Sequence, residues 1–105
     1  MHVSAKTITV LVMISFAATV PGAEAADVFG GQTVYEAHCA SCHGTDGVPL
    51  VPGTPDFAMG EGLEKPDSQL VQAVRAGSNL MPGYNRIISD QEILDAIAYI
   101  RTLQR

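Results

Sequence analysis

The only two cysteines of the chain lie three positions apart, and a histidine follows the second, in the pentad Cys39-Ala40-Ser41-Cys42-His43. Two thiols at this spacing can add to the two vinyl groups of one porphyrin, and the adjacent imidazole can then bind the iron. The pattern predicts one covalently attached c-type haem per chain, with Cys39 and Cys42 as the attachment points. His43 is then the expected first axial ligand of the haem iron.

Three other sites use the same residue types. A redox-active dithiol normally sits at a strand-to-helix junction, and no strand pattern precedes Cys39. Structural zinc usually takes its ligands from two separated pairs, whereas the zinc donors available here, which include His38, are crowded into residues 38–43. A plain disulfide between the two cysteines is the third alternative. We favour haem over all three.

The second axial position of the iron has three candidate ligands. His38 directly precedes the pentad and would have to reach the opposite haem face from the same helix. Met59 lies in the loop after the pentad, which we expect to cover the face of the first ligand. Met81 lies in a separate loop, where Pro82 stiffens the following backbone. This placement favours Met81, with His38 and Met59 as alternatives.

Hydrophobic periodicity predicts a first helix that begins after Asp27 and ends at the pentad. Gly30 and Gly31 lie inside it, and glycine costs a helix stability relative to alanine. We expect Gly31 to mark the place where the last helix crosses the first. The alternative is that the helix begins late, near Gln32.

The rest of the chain reads as two further helices joined by loops. Residues 45–64 are rich in glycine and proline and predict an irregular loop. A second helix opens at residues 65–67 and ends at Gly77. The capping-box pattern of Ser89 and Glu92 starts a third helix that runs to about Leu103. The prediction is an all-α domain with long loops.

The N-terminal quarter has the features of a secretory signal peptide. A short polar start precedes the apolar run 8–20, and Ala23-Glu24-Ala25 supplies a small-x-small cleavage pattern. The run is shorter than the roughly 20 residues that span a bilayer, so an uncleaved anchor is the less favoured alternative. We expect a signal peptide at residues 1–25, a domain at residues 26–105, and export to the periplasm as a soluble protein.

The chain is acidic, with a formal net charge of −5. Nucleic-acid binding is not expected, because proteins that bind nucleic acids carry basic patches. The charge instead suits a redox partner protein with a basic docking surface, and association that weakens as salt is added. We expect no membrane span once the signal peptide is removed, and a monomer.

Several features occur together in the order and spacing of a known family. They are Gly31 and Tyr35 before the pentad, Gly44 after it, a proline in the next loop, the run from Leu70 to Gly77, Met81-Pro82, and Ala98-Tyr99-Ile100-Arg101. The chain resembles the class I c-type cytochromes, in particular the small bacterial monohaem ones. The resemblance implies three or more helices around one haem, a helix crossing near Gly31 and Tyr99, and thioether links at both cysteines. It also implies iron ligation by His43 and Met81.

The resemblance extends to residues around the ligands. Thr54-Pro55-Asp56-Phe57 is similar to the family's Gly-Pro-x-Leu stretch, which implies that the Pro55 carbonyl accepts a hydrogen bond from His43, with Pro52 as the alternative. Asn79, Tyr84 and Arg86 are near enough in sequence to Met81 to donate a hydrogen bond to it or to the haem propionates. The alternative is that they are ordinary polar loop residues. By analogy the haem edge is lined by Val48, Leu50, Met59 and Pro82.

Protein ligands at both axial positions leave the iron without an open site, which favours one-electron transfer over catalysis. A neutral thioether favours the ferrous state and raises the potential. We therefore expect a periplasmic electron carrier and not an enzyme. One alternative is a haem subunit of an oxidoreductase complex. The other is a haem sensor or peroxidase-like enzyme with a dissociable methionine.

Overall fold

The computed structural model describes residue 2, residues 4–16 and residues 25–105. The expected signal peptide lies partly outside these residues, including Ala23 and Glu24 of its cleavage pattern. Its described residues 4–16 form neither helix nor strand, and their large apolar side chains are exposed, Phe16 by 89%. Among the described residues, no helix combines the length and apolar composition that crossing a membrane requires.

Four α-helices and one 3₁₀ turn make up the regular structure of the described residues. The helices are α1 (Val28–His38), α2 (Ala40–His43), α3 (Asp67–Ala76) and α4 (Asp90–Thr102), and the 3₁₀ turn is Phe57–Met59. The described residues contain no β-strand, and their single β-bridge joins Ser78 and Met81. The predicted all-α class is confirmed.

The helix starts follow from their capping residues. The Asp27 carboxylate accepts a hydrogen bond from the Phe29 amide at 3.0 Å, which fixes the start of α1 at Val28. The alternative start near Gln32 is therefore wrong. At α4, the Ser89 hydroxyl accepts from the Glu92 amide, and the Glu92 carboxylate accepts from the Ser89 amide, both at 3.1 Å. The predicted capping box is confirmed.

The first and last helices cross at Gly31. A Cβ atom there would overlap the Asp95 carbonyl and lie 2.9 Å from the Ala96 nitrogen, so only glycine allows this approach. One turn further along α1, the rings of Tyr35 and Tyr99 pack with their centroids 5.3 Å apart. The predicted crossing near Gly31 and Tyr99 is confirmed.

The core is divided into two apolar clusters. One contains Tyr35, Ala40, Leu63 and Ile100, and the other contains Ile88, Ile93 and Ile97. Arg101 of α4 binds the loop between α2 and α3, because its guanidinium donates to the carbonyls of Leu63 at 2.7 Å and Lys65 at 3.0 Å. The loop before α3 is thereby held against the last helix.

Candidate functional site

An open cavity of about 410 Å³ lies beside the pentad. Its walls come from the end of α1, from α2, from the loop between α2 and α3, from α3, from the segment between α3 and α4, and from Ile100 of α4. Its apolar lining includes Val51, Phe57, Leu70, Val74, Leu80 and Ile100. A large, flat and mostly apolar group suits such a surface, because the free energy falls when a ligand covers apolar walls and removes them from water.

Both thiols of the pentad line this cavity. Cys39 is the C-cap of α1 and is half-buried, whereas Cys42 lies within the short helix α2 and is exposed, and both are free thiols. Burial raises the pKa of the Cys39 thiol to about 11. A redox-active dithiol requires the opposite shift, towards the thiolate. The local environment of Cys39 therefore disfavours the dithiol alternative.

His43 ends α2 and lines the same cavity, although its side chain is buried with only 8% exposed. Burial lowers the pKa of its imidazole and so favours the neutral form, which is the form that binds metals. Its Nδ1 atom is buried and makes no hydrogen bond to any described residue. The expected bond to the Pro55 or Pro52 carbonyl is thus not formed in this structure.

Phe57 packs directly on His43, a contact that the sequence reasoning did not identify. The two rings stack with their centroids 4.7 Å apart and their planes 12° from parallel. Phe57 belongs to the 3₁₀ turn, which Asp56 caps by accepting a hydrogen bond from the Met59 amide. The similarity of residues 54–57 to the family's Gly-Pro-x-Leu stretch was the available signal, since it placed an apolar residue two positions after Pro55.

Met81 lines the cavity from the segment that follows α3. We call residues 78–85 the Met81 loop. Its start is a tight turn in which the Met81 amide donates to the Ser78 carbonyl at 2.8 Å and the Ser78 amide donates back at 3.1 Å. Met59, in contrast, is 75% exposed and is not among the described residues that line the cavity.

The remaining predicted residues are distributed around the cavity. His38, Asn79 and Tyr84 all contribute to its lining, whereas Arg86 does not. The Tyr84 hydroxyl donates to the His38 carbonyl at 2.8 Å, and the two rings meet edge to face with centroids 5.7 Å apart. Of the four residues expected at the haem edge, Pro82 lines the cavity and Val48, Leu50 and Met59 are exposed outside its lining.

The residues around this cavity fit a covalently attached haem. Two free thiols, a neutral imidazole and a thioether converge on one apolar space, and each is a donor that haem chemistry uses. The same set lacks the carboxylates of an oxygen-rich metal site: in the described part of the chain, no three histidine, cysteine or acidic side chains cluster as metal ligands would.

Comparison with known proteins decides the family. Residues 13–100 match the family described as cytochrome c oxidase, cbb3-type, subunit III. Cytochrome c6 of Thermostichus vulcanus is 31% identical over 90 residues, which cover 81% of this chain and 78% of that protein. The chain belongs to the class I c-type cytochromes.

Solved structures agree with this assignment. Cytochrome c6 of the diatom Phaeodactylum tricornutum superposes with a TM-score of 0.57 and 29% identity, over 72% of this chain and 92% of that one. The KustC0563 c-type cytochrome superposes with a TM-score of 0.64 at 23% identity, over 71% of this chain and 98% of that one, which supports the fold. This class I cytochrome carries one covalently attached haem c and is an electron-transfer protein, not an enzyme.

Proposed function

We propose that the chain is a periplasmic electron carrier whose haem is linked through Cys39 and Cys42 and whose iron is held by His43 and Met81. One observation carries this proposal. His43 and Met81 come from different elements and line the same cavity as both thiols, whereas Met59 lies outside its lining. His38 also lines the cavity, but it is the last residue of α1 and directly precedes the attachment pentad that supplies the first ligand.

The proposed mechanism needs little from the protein beyond positioning and exclusion of water. Haem c, when bound, supplies an iron that cycles between the ferrous and ferric states. His43 offers a neutral imidazole, because burial lowers its pKa, and Phe57 restricts the imidazole ring by stacking on it. Leu70, Val74 and Ile100 give apolar walls, and low polarity around the iron favours the less charged ferrous state.

Electrons would enter and leave at the rim of the cavity beside the Met81 loop. Leu80 is 86% exposed and Pro82 is also exposed, and both line the cavity, so an apolar edge faces solvent there. The chain's net charge of −5 suits a partner with a basic docking surface. We expect the carrier to act as a monomer and its electron transfer to such a partner to slow as salt is raised.

The periplasmic address rests on the N-terminal segment. The described residues 4–16 form no helix or strand and leave their apolar side chains exposed, which suits a segment that is removed from the mature protein. We expect cleavage after Ala25, so the mass of the mature holoprotein should correspond to residues 26–105 plus one haem. Retention of residues 1–25 would support the membrane-anchor alternative.

A second candidate function is suggested by the family description, which names a subunit of an oxidase. In that case the chain would be a haem-bearing subunit held in an oxidoreductase complex. The site chemistry would be unchanged, but the protein would co-purify with its complex. Size-exclusion chromatography of the native periplasmic fraction separates the two: a free monomer supports the carrier, and a large haem-containing assembly supports the subunit.

Carbon monoxide binding tests whether the iron site is closed. The ferrous protein at neutral pH should bind CO slowly or incompletely, because Met81 must leave before CO can enter. A Met81→Ala variant should bind CO rapidly and serves as the positive control, and Met59→Ala should behave as the native protein does. Rapid CO binding by the native protein would contradict the carrier and support a sensor or peroxidase-like function.

A further inference from the structure

Two glycines bring the Met81 loop into backbone contact with the end of α3. A Cβ atom on Gly83 would lie 2.7 Å from the Arg75 carbonyl oxygen and 2.8 Å from the Ala76 carbonyl oxygen. Facing it, a Cβ atom on Gly77 would lie 2.6 Å from both the Gly83 nitrogen and the Met81 oxygen. Gly77 also has a positive φ of 69°, whereas the need for glycine at position 83 comes from the contact alone.

This contact satisfies the end of α3. The last turn of a helix leaves carbonyl groups without intrahelical partners. Here the Tyr84 amide donates to the Val74 carbonyl at 2.9 Å, and the Asn85 amide donates to the Arg75 carbonyl at 3.2 Å. The Met81 loop therefore serves as the cap of α3, and its backbone can reach those carbonyls only because no side chain intervenes at position 83.

We propose that Gly83 is a positioning residue for the sixth iron ligand, because it lets the Met81 loop pack against the end of α3 and so holds Met81 at the haem. The proposal rests on the proposed ligation by Met81. The stability of that ligation then depends on backbone packing at Gly77 and Gly83, neither of which lines the cavity. Weakening the contact between the Met81 loop and α3 should release Met81 from the iron while the α1–α4 crossing stays intact.

The test compares two glycine-to-alanine variants of the holoprotein. Gly83→Ala introduces a clash between the Met81 loop and the end of α3. Gly31→Ala introduces a clash at the α1–α4 crossing, and Gly31 does not line the cavity. For each protein, the near-infrared band of ferric iron–thioether ligation and the far-ultraviolet helix signal are followed through a denaturant titration. The rate of CO binding to the ferrous form is measured without denaturant.

We expect Gly83→Ala to raise the population with Met81 released, and with it the CO binding rate, about tenfold. Its thioether band should disappear at lower denaturant than its helix signal. In Gly31→Ala both signals should move together and the CO rate should stay native. A native CO rate in Gly83→Ala, or an equal rise in Gly31→Ala, would overturn the proposal.

Two further outcomes are separable from these. A native protein that lacks the thioether band would overturn the proposed function itself, before any glycine variant is considered. If Gly83→Ala yields no folded holoprotein, hydrogen exchange on the native protein supplies the test. The Tyr84 and Asn85 amides should lose protection together with the thioether band and before the amides of α4. Continued protection after the band is lost would overturn the proposal.

Discussion

The hydroxyl of Tyr84 donates a hydrogen bond to the backbone carbonyl of His38 across 2.8 Å. These residues are 46 positions apart in sequence, and the bond joins the Met81 loop to the last turn of α1. His38 directly precedes the first attachment cysteine, so the contact links the two sides of the haem cavity. It gives Tyr84 a structural role that does not depend on direct contact with Met81.

Removing this hydroxyl should loosen the link without removing a ligand. Tyr84→Phe should lower the free energy of unfolding of the ferric holoprotein by about 0.5–1.5 kcal/mol, the usual contribution of one hydrogen bond. The thioether band should remain. Tyr99→Phe is the matched control, since its hydroxyl makes no hydrogen bond to another described residue, and denaturant titration measures both. Equal losses in the two variants would show that the bond to His38 contributes nothing specific.

The helix crossing should tolerate no side chain at position 31. Gly31→Ala should lower the free energy of unfolding by about 1–3 kcal/mol, because its Cβ atom meets the Asp95 backbone, which cannot move without displacing α4. Gly30→Ala is the control on the same helix: its Cβ atom would lie 2.9 Å from a carboxylate oxygen of Asp27, so at most it weakens the N-cap bond to Phe29, and the higher helix propensity of alanine offsets part of that loss. Chemical denaturation measures both, and an undiminished stability in Gly31→Ala would refute a close crossing.

The stack of Phe57 on His43 should influence the reduction potential. An aromatic face favours positive charge, so the stack should stabilise the ferric state more than the ferrous state. Phe57→Leu should therefore raise the potential by about 20–40 mV, equivalent to about 0.5–1 kcal/mol. Leu103→Met, in the same apolar cluster, should leave the potential unchanged in spectroelectrochemical titration. A lowered potential in Phe57→Leu would contradict this account of the stack.

Attachment of the haem and folding should fail together when one thiol is lost. Cys42→Ala should give little holoprotein on expression with the haem-attachment machinery, because a small domain built around a cofactor cavity loses much of its core without it. Ser41→Ala, between the two cysteines, should give a native yield. Haem staining of denaturing gels measures the yield of each, and abundant covalent holoprotein from Cys42→Ala would contradict the prediction.

Local patterns in the sequence predicted the frame of the site. The cap of α1 by Asp27, the capping box of Ser89 and Glu92, and the stop of α3 at Gly77 depend on residues within one or two helical turns. The Gly31 crossing was also predictable, because Gly31 falls on the same helix face as Tyr35, and a glycine there allows close approach of another backbone. All of these features depend on types and spacings that can be read directly from the chain.

The irregular segments were less predictable. The stack of Phe57 on His43 depends on how the loop 45–64 folds back over α2, and a loop rich in glycine and proline carries no periodic signal for that path. The contact of Gly83 with α3 is similar, since Pro82-Gly83 indicates only a turn and does not reveal which backbone the turn meets. The bond between His43 and a loop proline was implied by the family resemblance. It too depends on the path of the loop 45–64, and it is absent from the structure.

Methionine ligation decides whether the iron site is closed, and the near-infrared band of ferric iron–thioether ligation measures it most directly. The native ferric protein and Met59→Ala should both show the band, because Met59 is exposed outside the cavity lining. Met81→Ala should lack it. A band that survives in Met81→Ala and disappears in Met59→Ala would contradict the ligand assignment, and its absence from the native protein would contradict the closed six-coordinate site.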